Sequence, residues 1–383
     1  MTRPLRILFP YPGDTVGGSH VSSLMLARML DPARHQPVVA VHGPGLLTDY
    51  LARLGIEPMP APRVVPPRMR PRWRQPLRVR AAAAALAPYL RAQDIDIVHT
   101  HDMRMHLAWG GAAAAAGRPH IWHQRTPAPG RHLPAFAGRA DRLIAVSDFV
   151  RDSFAPPLRD RAEVIYNPFD TPRPHDRAAA RARILSDLGR PDAGPIVAYV
   201  SNFSDRKRPE IFVEIARRLA ARPEGADAVF PMFGTPHAPW DDAVRRAAAA
   251  AGLGERLQIM GTRFPFDPWL AGVDLLIAPA RDEALGRTLI EAAMAGIPLV
   301  ATDEGGNREI VLDRETGRLV PPEDPEGYAA AAADLLARPE ATRAMTDAAR
   351  ARAARLFSAD AHLAAMTEIY DSLPPRPSRA QSS

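Results

Sequence analysis

The sequence contains no cysteine and, among 49 basic residues, a single lysine, Lys207. Without cysteine there is no disulfide, thiolate nucleophile or cysteine-ligated metal, and we expect a protein of the reducing cytoplasm. No apolar run approaches the ~20 residues that a membrane-spanning helix needs. The first residues show no apolar stretch of the length found in signal peptides, so we expect none.

Two motif classes are also missing. The sequence has no G-x-x-x-x-G-K-[ST] motif, which disfavours a P-loop NTPase. A pyridoxal-phosphate enzyme needs a Schiff-base lysine, and Lys207 is the only candidate. The net charge of +6 suits nucleic acid, a membrane surface or phosphorylated ligands equally. No nucleic-acid-binding motif is recognisable, so we expect no nucleic-acid partner.

Short apolar runs alternate with helical patterns along the chain, and this order predicts two α/β domains, each with a doubly wound parallel sheet. A length of 383 residues fits two domains better than one core. The last helical pattern is apolar at Leu363, Met366, Ile369 and Leu373, a spacing that requires a partner surface. The predicted parts are a first domain, a linker, a second domain, a separate last helix and a disordered tail, at 1–172, 173–194, 195–357, 358–374 and 375–383.

The strongest chemical signal lies in "ARDEALGRTLIEAAMAGIP", where two glutamates are eight residues apart. Glu283 follows a predicted strand, Gly286, Arg287 and Thr288 open a helix, and Glu291 lies in its first turns. Free amides at a helix start form an anion site, to which the helix dipole contributes. Carboxylates on either side could hold the hydroxyl groups of a phosphorylated ligand. A solvated helix start with idle glutamates is the alternative.

This stretch resembles the hallmark motif of the retaining glycosyltransferases of family 4. The matching residues are Glu283, Gly286, Glu291, Ala292, Met294, Gly296, Pro298, Gly305, Gly306 and Glu309. The resemblance implies the GT-B fold, in which two Rossmann-like domains face each other across a cleft. It also implies that Glu283 faces the donor sugar, that Glu291 holds the ribose hydroxyls, and that amides near Gly286 bind the diphosphate. Ala284 and Leu285 replace the usual Gly-Phe pair.

The same resemblance gives Lys207 a role. In the family, an arginine and a lysine after the first strand of the second domain hold the diphosphate of the donor. Lys207 occupies the lysine position, while Asn202, which carries no charge, occupies the arginine position. Arg206 is the expected substitute. A compact ammonium suits a phosphate, although an ordinary surface lysine is the alternative.

A glycine pair, Gly17-Gly18, follows the first predicted strand. Glycines let backbone amides approach an oxyanion closely, although a tight turn explains such a pair equally well. The resemblance implies that this loop contacts the donor diphosphate. The last helix of this family packs on the first domain, which implies the same for 358–374.

Histidines are concentrated after two predicted strands. His99, His101, Asp102 and His106 suggest a metal site, but the spacing of known metal motifs is absent and GT-B enzymes need no catalytic metal. We therefore expect no metal and no cofactor, with His101 lining the cleft. His123 matches a family histidine near the sugar and acceptor, and we predict it to be catalytic together with Glu283 and Lys207. Arg125 is predicted to contact an anionic acceptor.

The stretch 63–80 is rich in arginine and contains Trp73. A solvated loop is one interpretation; peripheral contact with anionic lipid beside a lipid-linked acceptor is another. The function predicted overall is transfer of a sugar from a nucleotide-diphosphate donor to a hydroxyl of a glycan or lipid-linked acceptor, in the biosynthesis of cell-envelope glycans or glycolipids. A sugar-nucleotide epimerase and a non-catalytic nucleotide-sugar-binding protein are the alternatives.

Overall fold

The computed structural model describes residues 3–64, 75–128 and 134–373. They form two compact units, the first drawn from Met1–Pro168 and Ala359–Ser383 and the second from Phe169–Ser358. The predicted disordered tail at 375–383 and the central part of the arginine-rich stretch, 65–74, lie outside the described residues.

The first unit contains a seven-stranded parallel sheet in the order β3-β2-β1-β4-β5-β6-β7. Its strands are β1 Leu5–Tyr11, β2 His35–Val41, β3 Met59–Pro60, β4 Ile97–Thr100, β5 His120–Gln124, β6 Arg142–Ala145 and β7 Ala162–Val164. Its helices are α1 Gly18–Met29, α2 Leu46–Arg53, α3 Gln75–Ala92, α4 Met103–Ala116, α5 Pro134–Ala137, α6 Asp148–Asp152, α7 Pro156–Arg159 and α16 Ala359–Ser372.

The second unit contains a six-stranded parallel sheet in the order β10-β9-β8-β11-β12-β13. Its strands are β8 Val197–Val200, β9 Phe230–Phe233, β10 Leu257–Gly261, β11 Leu275–Ala278, β12 Leu299–Thr302 and β13 Arg318–Val320. Its helices are α8 Arg177–Asp187, α9 Pro209–Ala220, α10 Trp240–Ala250, α11 Asp267–Leu270, α12 Arg287–Ala295, α13 Asn307–Ile310, α14 Pro325–Ala337 and α15 Pro339–Phe357.

The composition of the central strands explains why both sheets are parallel and covered on both faces. Every residue of β4, β5, β9 and β12 is buried, so these strands show no alternation of buried and exposed positions; β9 is apolar throughout, whereas β4 and β5 also bury histidines. Two clusters of buried side chains in the first unit contain residues of its strands and helices. A third cluster contains buried residues from the strands and helices of the second unit.

Within the described ranges, no helix combines the length and apolar character needed to cross a bilayer.

The strand order reverses direction at β1/β4 in the first unit and at β8/β11 in the second. At such a reversal the loops that leave neighbouring strands diverge to opposite faces of the sheet, and the crevice between them is where open α/β sheets bind ligands. The loops after β1, β4, β8 and β11 are therefore the expected location of a site in each unit.

Helix α16 belongs to the first unit although the whole second unit precedes it in the sequence. Met366, Ile369, Tyr370 and Leu373 are buried in the same cluster as Ile7 of β1. The helical spacing of these apolar side chains explains which face of α16 is buried.

We expect Met366→Ala to lower the free energy of local unfolding of the first unit by about 2–5 kcal/mol, the usual cost of truncating a buried methionine. Met366 is fully buried. Hydrogen exchange of the β1 amides, followed by mass spectrometry, measures this energy in the first unit alone. Glu368→Ala on the exposed face of α16 is the control and should change it by less than about 0.5 kcal/mol. Equal exchange in both variants would contradict the packing of α16.

The structure differs from the sequence prediction in the segment predicted as a linker. Residues 173–194, predicted as a linker, lie within the second unit. Arg177 and Arg181 of α8 both form ion pairs with Asp274, which places this helix against the start of β11.

Candidate active site

Lys207 and Arg206 converge on one carboxylate, that of Glu283. Both cations contact Glu283 Oε2, Arg206 Nη1 at 2.9 Å and Lys207 Nζ more closely. The cations lie on a short 3₁₀ turn after β8, and Glu283 lies in the loop after β11. Residues 76 positions apart in sequence therefore meet at the β8/β11 reversal.

Glu283 is an ionised group in a buried position. Its exposed fraction is 9%, and burial alone would raise the pKa of the carboxyl. The charges and hydrogen bonds of Lys207 and Arg206 outweigh burial, and the net effect holds the pKa of Glu283 below its ordinary value. Glu283 is therefore a carboxylate throughout the neutral pH range, and it neutralises part of the charge of both cations.

The main chain around Glu283 is fixed by a glycine. The Gly306 N–H donates to the Glu283 carbonyl at 2.8 Å. A Cβ atom at Gly306 would lie 2.2 Å from the Ala284 carbonyl oxygen, so no larger residue fits without moving the loop. Ala284 and Leu285 are themselves buried, which explains how apolar residues can occupy the Gly-Phe positions of the motif.

Helix α12 begins next to this loop, with Gly286 at its N-cap. Arg287 and Thr288 form the first turn, whose amides have no carbonyl partner within the helix. Arg287 lies over the Phe169 ring and contacts Glu291 Oε1 at 3.2 Å. The Glu291 side chain is 39% exposed. Desolvation of its carboxyl group by the surrounding protein nevertheless raises the pKa of Glu291, and the charge of Arg287 partly offsets this shift.

Asn202 is placed differently from Arg206 and Lys207. Its side-chain oxygen accepts a hydrogen bond from the Thr235 N–H at 3.0 Å, which ties the loop after β8 to the loop after β9. The two cations that the structure brings together are therefore Arg206 and Lys207, while Asn202 connects two neighbouring loops.

In the first unit, Gly17 ends the loop between β1 and α1 and Gly18 is the first residue of α1; both are exposed. The Gly17 N–H donates to His20 Nδ1 at 3.1 Å, so this amide already has an acceptor. A Cβ atom at Gly17 would have only the His20 ring within 4 Å. The glycine that this loop requires sterically is Gly13, which has φ +103° and would place a Cβ atom 2.0 Å from the Gly43 carbonyl oxygen.

Histidines and Arg125 form a buried group at the ends of β4 and β5. His99, His101 and His123 have ring nitrogens within 4.8 Å of one another. Arg125 contacts Nδ1 of His101 at 3.1 Å and Nδ1 of His123 at 3.4 Å, and its Nη1 donates to the Asn167 side chain. Burial lowers the pKa of all three histidines well below the ordinary value, and Arg125 contributes to this shift.

Two other polar residues of "HTHDMRMH", Asp102 and His106, have structural roles. Asp102 caps α4 by accepting from the N–H groups of Arg104 and Met105, at 2.9 and 3.1 Å. His106 stacks on Trp122 with ring centroids 4.1 Å apart and bonds to the Thr100 hydroxyl at 2.6 Å. Neither residue therefore joins the histidine group.

Two family models match most of this chain. The model described as Glycosyltransferase Family 4 matches residues 16–173, and the model described as Glycosyl transferases group 1 matches residues 194–338. The chain belongs to glycosyltransferase family 4. Its two parallel-sheet α/β units are those of the GT-B fold, as the motif resemblance implied.

Individual relatives agree with the family assignment. The D-inositol 3-phosphate glycosyltransferase of Streptomyces scabiei is 31% identical to this glycosyltransferase in an alignment that covers 72% of this chain and 67% of the relative. The 2-deoxystreptamine N-acetyl-D-glucosaminyltransferase of Streptomyces fradiae is 28% identical in an alignment that covers 90% of this chain and 86% of the relative. The crystal structure of Anabaena HepE in complex with UDP superimposes with a TM-score of 0.81 at 20% identity, covering 96% of this chain and all of HepE.

Sequence reasoning about this glycosyltransferase missed two residues of the histidine group. Tyr370 bonds to His99 at 2.8 Å, and the His362 ring lies beside that of His123 with centroids 6.3 Å apart. Both residues come from α16, more than 200 positions after β5 in the chain. No local pattern connects them to the histidines; only the helical placement of α16 on the first unit could have done so.

Proposed function

We propose that this protein is a retaining glycosyltransferase that moves a sugar from a nucleotide-diphosphate donor to a hydroxyl group of its acceptor. The observation that carries the proposal is the convergence of Lys207 and Arg206 on Glu283 beside the start of α12. Two cations and a set of helix-start amides in one place are what a diphosphate requires. The complex of HepE with UDP supports a uridine diphosphate sugar as the first donor to test.

Each residue of this site has a proposed task. Lys207 and Arg206 neutralise the diphosphate, and the first-turn amides of Arg287 and Thr288 add hydrogen bonds. Glu283 contacts the donor sugar, and Glu291 accepts hydrogen bonds from the ribose hydroxyls. When the diphosphate binds, it replaces Glu283 as the main partner of the two cations, which frees the carboxylate for the sugar.

In the proposed reaction, the acceptor hydroxyl attacks the anomeric carbon on the face from which the diphosphate departs. The acceptor C–O bond forms as the bond between the sugar and the phosphate oxygen breaks. The departing diphosphate takes the proton of the acceptor hydroxyl, so no side chain has to act as the base. Stabilisation of the developing charge on the diphosphate by Lys207 and Arg206 is the main source of acceleration. We propose that the reaction uses no metal and no further cofactor.

A thermal-shift screen of the purified protein against nucleotide sugars tests this function. A ligand that binds only the folded state raises the stability in proportion to the logarithm of its concentration over Kd. We expect one nucleotide diphosphate sugar to raise the melting temperature. Incubation of that donor with candidate acceptors, including D-inositol 3-phosphate and 2-deoxystreptamine, should yield a product with retained anomeric configuration. An epimerised donor without transfer would indicate the epimerase, and binding without any turnover the non-catalytic alternative.

We also propose that the arginine-rich stretch 63–80 holds the enzyme peripherally at a membrane with a lipid-linked acceptor, as in the synthesis of envelope glycans or glycolipids. Arginines bind anionic headgroups, and Trp73 is suited to the interface. Sedimentation with vesicles should show binding to anionic lipid that decreases with salt, and little binding to zwitterionic lipid. A variant with Arg63, Arg78 and Arg80 replaced by glutamine should bind more weakly. Binding that ignores lipid charge and salt would contradict the proposal.

A further inference from the structure

The direction of each hydrogen bond around Arg125 can be assigned from chemistry. A guanidinium group has N–H donors and no acceptor, so a ring nitrogen that it contacts must be an unprotonated acceptor. Arg125 Nε and Nη2 lie 3.3 and 3.1 Å from His101 Nδ1. His101 Nδ1 is therefore an acceptor. Because a neutral imidazole carries one proton, that proton is on Nε2.

The same argument applies to His123 and extends to His99. Arg125 Nη2 is 3.4 Å from His123 Nδ1, which makes this nitrogen an acceptor too. His99 Nε2, 3.2 Å from His123 Nδ1, must then carry a proton and donate. The remaining nitrogen of His99, Nδ1, accepts from the Tyr370 hydroxyl at 2.8 Å. One set of tautomers thus satisfies every contact in the group.

The assignment leaves two N–H donors without an acceptor among the described residues. Nε2 of His101 and Nε2 of His123 are buried and have no hydrogen-bond partner within the described ranges. The two side chains belong to residues that are 3% and 0% exposed. A buried donor without an acceptor is rare in proteins because its desolvation is not compensated, so such donors indicate an oxygen ligand.

A nearby acceptor complements these two donors. His362 Nδ1 lies 2.6 Å from the Tyr166 carbonyl oxygen, which can only accept, so Nδ1 carries the proton and Nε2 has the lone pair. His362 Nε2 is also buried without a partner among the residues described. A sugar hydroxyl can accept from one histidine and donate to another. A phosphate group has only acceptors at neutral pH and suits His362 less well.

We infer that Arg125 is a positioning residue, which fixes His101 and His123 as Nε2–H donors toward hydroxyl oxygens of a bound sugar. This inference rests on the proposed function and changes the roles that the sequence analysis predicted for Arg125 and His123. The sequence analysis predicted that Arg125 binds an anionic acceptor. In the structure its guanidinium donates hydrogen bonds to His101, His123 and Asn167. His123 acts as a hydrogen-bond donor and does not take up the acceptor's proton.

The same geometry argues against a metal ion among His99, His101 and His123. A metal ion needs a lone pair from each ligand, and the guanidinium occupies the lone pairs of two of the three rings. The positive charge of Arg125 also opposes a second cation at this distance. The spacing of the three rings therefore reflects a hydrogen-bonded network.

Nitrogen NMR of the full chain labelled with ¹⁵N-histidine tests the tautomers without any substrate. We expect protonated Nε2 and bare Nδ1 for His101 and His123, and the reverse for His362. Signals are assigned with single His→Gln variants. A proton on Nδ1 of His101 or His123 in the wild-type protein would overturn the inference. Because no donor or acceptor is added, this result is independent of whether the protein transfers sugar.

Substitution of Arg125 tests its positioning role. In Arg125→Met, the His101 spectrum should show both tautomers, and kcat/KM should fall about 10–100-fold, mostly through kcat, as for other residues that orient a functional histidine. Arg125→Gln keeps an amide donor, and Arg125→Lys keeps one charged donor; both should recover part of the loss. Arg53→Met, at the exposed end of α2, is the matched control and should change neither quantity. Histidine spectra of Arg125→Met that equal those of the wild-type protein would also overturn the inference. If the wild-type protein shows the predicted tautomers but transfers no sugar from any nucleotide sugar, that result would count only against the proposed function.

Discussion

We expect Lys207→Ala to lower kcat/KM about 10²–10³-fold, the usual scale for losing one group that stabilises developing charge. The charge of Lys207 matters most in the transition state, when the departing diphosphate gains negative charge. Lys207→Arg should recover only part of the activity because the planar guanidinium on its longer side chain places the charge elsewhere. Arg206→Ala should also reduce activity, since Arg206 shares the Glu283 carboxylate with Lys207.

Two measurements separate a direct role of Lys207 from an indirect one. If Lys207 binds the diphosphate, Lys207→Ala weakens binding of the nucleoside diphosphate of the identified donor and leaves binding of the nucleoside alone unchanged. If Lys207 serves only to hold Glu283, its removal costs nothing further in a Glu283→Ala background. Arg217→Ala, on the exposed side of α9, is the control. Near-wild-type kinetics in Lys207→Ala would make the lone lysine an ordinary surface residue.

The second large effect is a contrast between the two glutamates. We expect Glu283→Ala to lower kcat roughly 10²-fold, since the carboxylate acts on the sugar in the transition state. Its effect on donor affinity should be small or favourable, because Lys207 and Arg206 no longer have a carboxylate that competes with the diphosphate. We expect Glu291→Ala to weaken donor binding about 10–100-fold, the equivalent of one or two hydrogen bonds to a charged acceptor.

Calorimetric titration of donor and initial rates on both variants test this contrast. Glu291→Gln keeps a hydrogen-bond acceptor and should lose less affinity than Glu291→Ala. Glu326→Ala on α14, an exposed glutamate of the same unit, is the control for loss of one negative charge. If Glu283→Ala and Glu291→Ala change affinity and turnover to the same degree, the separate roles of the two carboxylates are wrong.

Local sequence patterns were sufficient for most of the fold. Short, mostly apolar runs in alternation with helical patterns predicted two parallel sheets, because a strand that is covered on both faces has no exposed polar side. They were insufficient to assign 173–194 to the second unit, because this segment resembled a linker and its helix α8 is bound to that unit by ion pairs to Asp274. Ion pairs between distant residues leave no periodic signal in a sequence.

The sequence by itself determined which residues follow the central strands of the second unit, and it predicted a phosphate site among them. Lys207 follows strand β8, and Glu283 and the start of α12 follow strand β11. Only the tertiary structure decided how the residues pair: that Arg206 and Lys207 share one carboxylate, and that Gly17 donates to His20. The histidine tautomers depended on Arg125 and on α16, whose side chains come from remote parts of the chain. Hydrogen-bond direction is set by which groups meet in space, and a linear pattern does not contain that information.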